Sequence, residues 1–154
     1  MAPTTIQFTG EQARGLAGVT PEAWRHWRSV IPHLHAKQGK AARFSLGEIV
    51  VLSLLARAVS EFGVGVSRMA LGWDRLFVLC AAKRPIDLRD ASVSVGVADA
   101  DIGAGDGDPS DGFALVMRCA PIVDRLTAAA FPDLDPSPQR SLPFAPRLVA
   151  GASR

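Results

Sequence analysis

The chain has 154 residues, 48% of them hydrophobic, which suits one domain or a small domain with an accessory part and excludes a disordered polymer. Its formal net charge of +2 hides an uneven distribution. Before Ser45, six basic residues (Arg14, Arg25, Arg28, Lys37, Lys40, Arg43) stand against Glu11 and Glu22, whereas residues 99–111 hold five Asp and no Lys or Arg.

The first elements are read from their caps. Thr9 and Gln12 have capping-box spacing and open a helix that Gly18 ends. Thr20 caps a second helix with Pro21 at its first position, where the missing N–H costs nothing. This helix runs through Arg28 and stops before Pro32. Two helices joined by a tight turn containing Gly form a helix-turn-helix, with Val19 expected to plug the angle between them. Residues 32–44 show no helical period and read as a short β-hairpin, a wing with a basic tip at Lys37-Gln38-Gly39-Lys40.

Ser45 and Glu48 make a second capping box. The helix that follows carries Leu46, Ile49, Val50, Leu52, Leu55, Val59 and Phe62 and is apolar enough to be covered on more than one side. Phe62-Gly63-Val64-Gly65 breaks it. A fourth helix from Val66 places Val66, Met69, Ala70, Trp73, Leu76, Phe77 and Cys80 on one face, with Arg68, Asp74 and Arg75 facing away.

After Pro85 the pattern changes. Residues 92–97 and 113–119 alternate and read as two strands, with Val93, Val95 and Val97 on one face of the first. The acidic segment 99–111 between them reads as a solvated linker. Ala120-Pro121 opens a last helix to about Phe131, with Ile122, Val123 and Leu126 inward, and the proline-rich remainder reads as an extended tail. The expected fold is therefore mainly α with small β. Residues 1–71 form a winged helix-turn-helix domain. Residues 72–131 form a helix, β-hairpin and helix part for dimerisation or partner binding, and residues 132–154 form the tail.

The segment Phe8-Thr9 with Gly18-Val19-Thr20-Pro21-Glu22-Ala23-Trp24-Arg25-His26-Trp27-Arg28 resembles the MerR-type winged helix. That family reads aromatic-Thr, then Gly-Val-Ser/Thr, then Arg before two aromatics, and its wing closes on Arg-aromatic-Ser with an acidic residue in the next helix. Arg43-Phe44-Ser45 and Glu48 supply the second part here. The resemblance covers residues 6–71 and implies duplex-DNA binding. Arg14 stands where the family has a small apolar residue. The family's effector members continue into a long dimerising coiled coil, which the break at Pro85 and the strands after it do not match.

The physical reading agrees with DNA as partner. A recognition helix presents one face to the major groove. Arg25 and Arg28, three apart, fall on a common side with Glu22, and Arg suits bidentate contact with guanine or phosphate. The expected DNA-contacting residues are Thr20, Glu22, Trp24, Arg25, His26 and Arg28 of helix 21–30, with Lys37, Lys40 and Arg43 of the wing; Trp27 is assigned to the core. These point to a sequence-specific transcriptional regulator acting as a homodimer through its C-terminal half, which also offers a surface for a protein partner. An excisionase-like or small-terminase-like DNA architectural factor uses the same features. A protein-interaction module without DNA binding is the third reading.

Other chemistries find no support. His33-x-His35 lacks a third ligand nearby, so no metal is expected. The Asp-rich segment does not fit a calcium loop, because it lacks the closing Glu. No nucleophile–base set or phosphate-cradling glycine loop emerges, so neither enzymatic activity nor a cofactor is expected. No apolar run reaches the ~20 residues of a membrane span. With no secretory signal and no paired-cysteine motif, a cytoplasmic protein with reduced Cys80 and Cys119 is expected.

Overall fold

The computed structural model describes residues 6–103 and 114–132. They are mainly helical, with two small antiparallel sheets. Strand β1 (Gln7–Thr9) leads into α1 (Gly10–Ala17) through the Thr9–Gln12 capping box, in which each residue's side chain accepts from the other's backbone N–H. Gly18 closes α1 at φ 69°, a left-handed conformation that L side chains rarely adopt. Val19 is buried in the turn, and Thr20 caps α2 (Pro21–Val30) by accepting from Ala23 N–H.

The hairpin expected over residues 32–44 does not form. Pro32–Ala36 is a short helix, α3, and only Arg43–Ser45 is strand. This strand, β2, pairs with β1, placing Phe8 opposite Phe44. The reasons are local and distant. Pro32 occupies the first helical position without loss, and the Asp74 carboxylate accepts from His33 N–H at 2.6 Å. A five-residue helix is too short to display a period. Asp74, expected to face away from the core, is thereby turned towards α3.

Helix α4 (Leu46–Phe62) is the spine. Its capping box at Ser45 and Glu48 forms as read, Gly63 ends it at φ 63°, and every residue from Leu46 to Leu55 is buried. It contacts α1, β2 and all three later helices. A 3-10 turn (Val66–Met69) precedes α5 (Ala70–Ala81), which buries Trp73, Leu76, Phe77 and Cys80. Pro85–Arg89 forms α6, a short helix that the sequence pattern did not reveal.

The second sheet has three strands: β3 (Ser92–Val95), β4 (Ala100–Gly103) and β5 (Leu115–Arg118), in the order β4-β3-β5. The linker reading of residues 99–111 is therefore wrong at its start. In Ala100-Asp101-Ile102-Gly103 the apolar residues are half-buried and the other two exposed, a strand alternation that the count of Asp conceals. Ile102 lies opposite Val93 and Ala100 opposite Val95, satisfying backbone groups of β3 that would otherwise form an open edge. Strand β3 stops at Val95, leaving Val97 60% exposed. Asp106, Asp108, Asp111, Phe113 and the tail beyond Pro132 lie outside the described residues.

Helix α7 (Ala120–Ala130) follows, with Ile122, Val123 and Leu126 buried as read. Buried side chains from Ala13 to Leu126 make one contiguous core. Of the apolar residues expected to meet a second subunit, Val93, Val95, Cys119, Ile122, Val123 and Leu126 are buried in the chain's own core, Leu115 and Met117 are half-buried, Val97 is exposed, and Phe113 lies outside the described residues.

Two glycines set how closely the parts approach. A Cβ at Gly47 would lie 2.0 Å from Cys80 O, and one at Gly72 would lie 2.0 Å from Gly96 O. Both obstacles are backbone, so the elements themselves must separate to admit a methyl group. Gly47→Ala and Gly72→Ala are each expected to destabilise by about 1–3 kcal/mol or more in denaturant unfolding. Gly15→Ala, which meets nothing within 4 Å, is expected to be neutral or stabilising.

Candidate nucleic-acid interface

Helix α2 divides its residues by depth. Trp27 is 3% exposed and anchors the helix, confirming its place in the core. Thr20, Glu22, Arg25 and His26 are exposed. Arg25 lies 3.7 Å from Glu22 across two well-exposed side chains, and its Nε reaches Pro21 O at only 3.4 Å. Such contacts hold a guanidinium weakly and leave it available to another partner. His26 Nε2 lies 3.5 Å from Ser67 Oγ.

Arg28 and Trp24 occupy the shoulder of α2 and not its outer face. Both are half-buried, with the Arg28 guanidinium carbon 5.8 Å from the centre of the Trp24 ring. Trp24 in turn meets Phe44 edge-on at 5.7 Å. Arg25 and Arg28, placed on one side by their spacing, therefore face different surroundings.

Lys37 departs from its expected role. Its ammonium lies 2.5 Å from Glu48 Oε1, donates to Arg43 O at 2.9 Å and sits 5.1 Å from the Phe44 ring. It serves the interior and not the tip of a wing. Lys40 is exposed, and its side chain has no hydrogen-bond or ion-pair partner among the described residues. Arg43 is exposed too, but its Nη1 donates to Lys40 O and Ala42 O at 3.0 Å, fixing the turn that carries Lys40.

The buried polar centre beneath this surface escaped sequence reasoning. Glu48 is 1% exposed. Its Oε1 meets His33 Nε2 at 2.5 Å as well as Lys37, and its Oε2 accepts from Ser45 N–H at 2.7 Å. His33 stacks on Phe77 with ring centres 5.3 Å apart. The Ser45–Glu48 spacing signalled the cap, but nothing local links residue 48 to residues 33 and 37. Burial alone would raise the Glu48 pKa; the bonds from His33, Lys37 and Ser45 N–H, with the Lys37 charge, bring it down to about 2. Among the described residues no cluster of three or more His, Cys, Asp or Glu could hold a metal ion, and no helix is long and apolar enough to cross a membrane.

The sign of the pH effect follows from that depressed value. Glu48 stabilises the fold above the ordinary carboxyl pKa of 4.5, and this contribution is lost as pH falls towards about 2. Glu48→Gln is expected to lower stability at pH 7 by about 1–3 kcal/mol. It should also flatten the pH dependence of unfolding between those two values. Denaturant titrations of both proteins across that window measure the difference, and parallel curves would contradict the assignment.

No protein-family model, curated protein or solved structure matches the chain, so a functional reading rests on the geometry of α2 and its surroundings.

Proposed function

We propose that the protein binds duplex DNA as a helix-turn-helix regulator, with α2 as the recognition helix and the 38–43 turn, in place of the expected hairpin wing, beside the DNA backbone. The observation that supports this best is the division of α2. Trp27 fixes the helix from beneath, while Thr20, Glu22, Arg25 and His26 stand exposed from its cap to its middle. Recognition helices use that N-terminal portion to reach base edges. Lys40 and Arg43 extend the basic surface from a separate element. Lys37 has no direct part in this reading, because its charge is matched by Glu48.

Arg25 is the base-reading candidate, since its weak exposed contacts are readily exchanged for guanine. Arg25→Ala is expected to cost about 1–3 kcal/mol on a duplex selected from a random pool and to relax sequence preference. Arg43→Ala is expected to weaken selected and unrelated duplexes alike. A folded Arg25→Ala protein that retains wild-type affinity and preference would remove α2 from the reading role.

One such helix reaches a single major-groove segment, and helix-turn-helix proteins commonly place two on neighbouring turns. Most of the apolar residues expected at a dimer interface are internal here, so pairing belongs to the DNA-bound state in this reading. Light scattering is expected to give a mass near 16.3 kDa for the free protein and two chains per selected duplex. One chain per saturated duplex would exclude the pair.

A further inference from the structure

The shoulder of α2 borders a groove of about 620 Å³ between the start of α1, the 37–42 turn and the aromatic pair Trp24 and Phe44. Three cations from three elements line it: Arg14 of α1, Arg28 of α2 and Lys40 of the turn, against one carboxylate, Glu11. Lys37 also reaches it, but already lies against Glu48.

The donors of these cations are incompletely matched among the described residues. Arg28 Nε is buried and has no hydrogen-bond partner among the described residues. A buried guanidinium N–H left without an acceptor is costly, the more so for a charged group. Arg14 uses Nη1 to hold Val19 O at 3.1 Å, which steadies its guanidinium and leaves the other donors unassigned among the described residues. Lys40 is held at the rim by the turn that Arg43 fixes. The Trp24 ring lies beside the Arg28 guanidinium, at 5.8 Å from its central carbon, within cation–π range.

We propose that this groove is a phosphate seat, in which Arg14, Arg28 and Lys40 grip one backbone phosphodiester of the duplex whose bases face Arg25. The proposal rests on the duplex-binding reading for the identity of the phosphate and adds Arg14 to the contact set. A tetrahedral anion with several acceptor oxygens can take a forked donor from each arginine together with the ammonium of Lys40. The seat gives affinity without sequence information and fixes how deeply α2 enters the groove.

Two measurements on the full chain separate the seat from the reading on which it rests. Inorganic phosphate is titrated against 15N-labelled protein at constant ionic strength, with chloride as control. The Nε–H resonances of Arg28 and Arg14 are expected to shift with phosphate and not with chloride, and the Arg28 shift is expected to fade in Arg14→Ala. Unmoved resonances would overturn the seat. Duplex binding is then followed against salt for the wild type, Arg14→Ala, Arg28→Lys and Lys40→Ala, each checked for an unchanged melting transition. Arg14→Ala and Lys40→Ala are each expected to lower the salt slope by up to about one unit, roughly eightfold in affinity at 0.1 M salt for a full contact. Arg28→Lys keeps a cation but loses the fork, so affinity is expected to fall with little change of slope. Duplex binding with wild-type affinity and slope in all three variants would overturn the seat while leaving the function proposed for α2 intact. Phosphate-dependent shifts without any duplex binding would support the anion seat and remove duplex DNA as its source.

Discussion

A carboxylate sealed inside an apolar core is tolerated only when its oxygens are matched, and Glu48 meets that condition through three separate pieces of chain. Ser45 N–H ties it to the start of its own helix. His33 brings α3 against that helix, and Lys37 brings the turn that leads to β2. Removing any of these donors would leave a buried charge short of a partner. The arrangement of α3, the 37–42 turn and the β1–β2 pair around the head of α4 is thus a single electrostatic solution. Phe77 and Asp74 of α5 join it, one stacking on His33 and the other accepting from its backbone N–H.

From that fixed head, α4 extends as a spine along which the remaining helices are placed. Gly47 and Gly72 allow backbone to approach backbone at the two ends of α5, bringing Cys80 O against α4 and Gly96 O against α5. This close approach ties the later sheet to α5 and α5 to α4, while α7 packs directly on α4 and α1. Arg89 reinforces the C-terminal side through an exposed pair with Asp124, joining α6 to α7. Such a pair contributes modestly; burial of Leu88, Val123 and Leu126 carries more of the stability.

This construction divides the basic residues by task. Lys37 stabilises the interior and Arg43 shapes a turn, while Arg25 remains outward with weak contacts that can be exchanged. Arg28 is held between these limits, beside Trp24 and lining the same groove as Arg14. A surface meant to meet a polyanion gains from cations that are pre-positioned and incompletely matched, because little ordering remains to be done on contact. Burial of Trp27 and of Val19 in the turn anchors α2, and side chains on an anchored helix hold their spacing better than those on a loop.

The sequence by itself determined the elements whose signals are local. Thr9–Gln12, Thr20–Pro21 and Ser45–Glu48 located three helix starts, Gly18 and Gly63 two helix ends, and the spacing of Trp73, Phe77 and Cys80 the buried face of α5. These signals work because caps and helical faces are settled by residues within about one turn of each other. The tertiary structure alone decided the strand partner of Arg43–Ser45, the helix at Pro32–Ala36, the strand within the acidic segment and the inward turn of Lys37. It also separated Arg25 from Arg28 and brought Arg14 to the same groove as Lys40. The first four depend on a partner outside their own element: β1 for β2, Asp74 for α3, Val93 for Ile102, Glu48 for Lys37. Hydrogen bonds and charge pairs between distant residues leave no spacing to read, so charge counts identified a basic front, and only the folded chain assigned each cation its place.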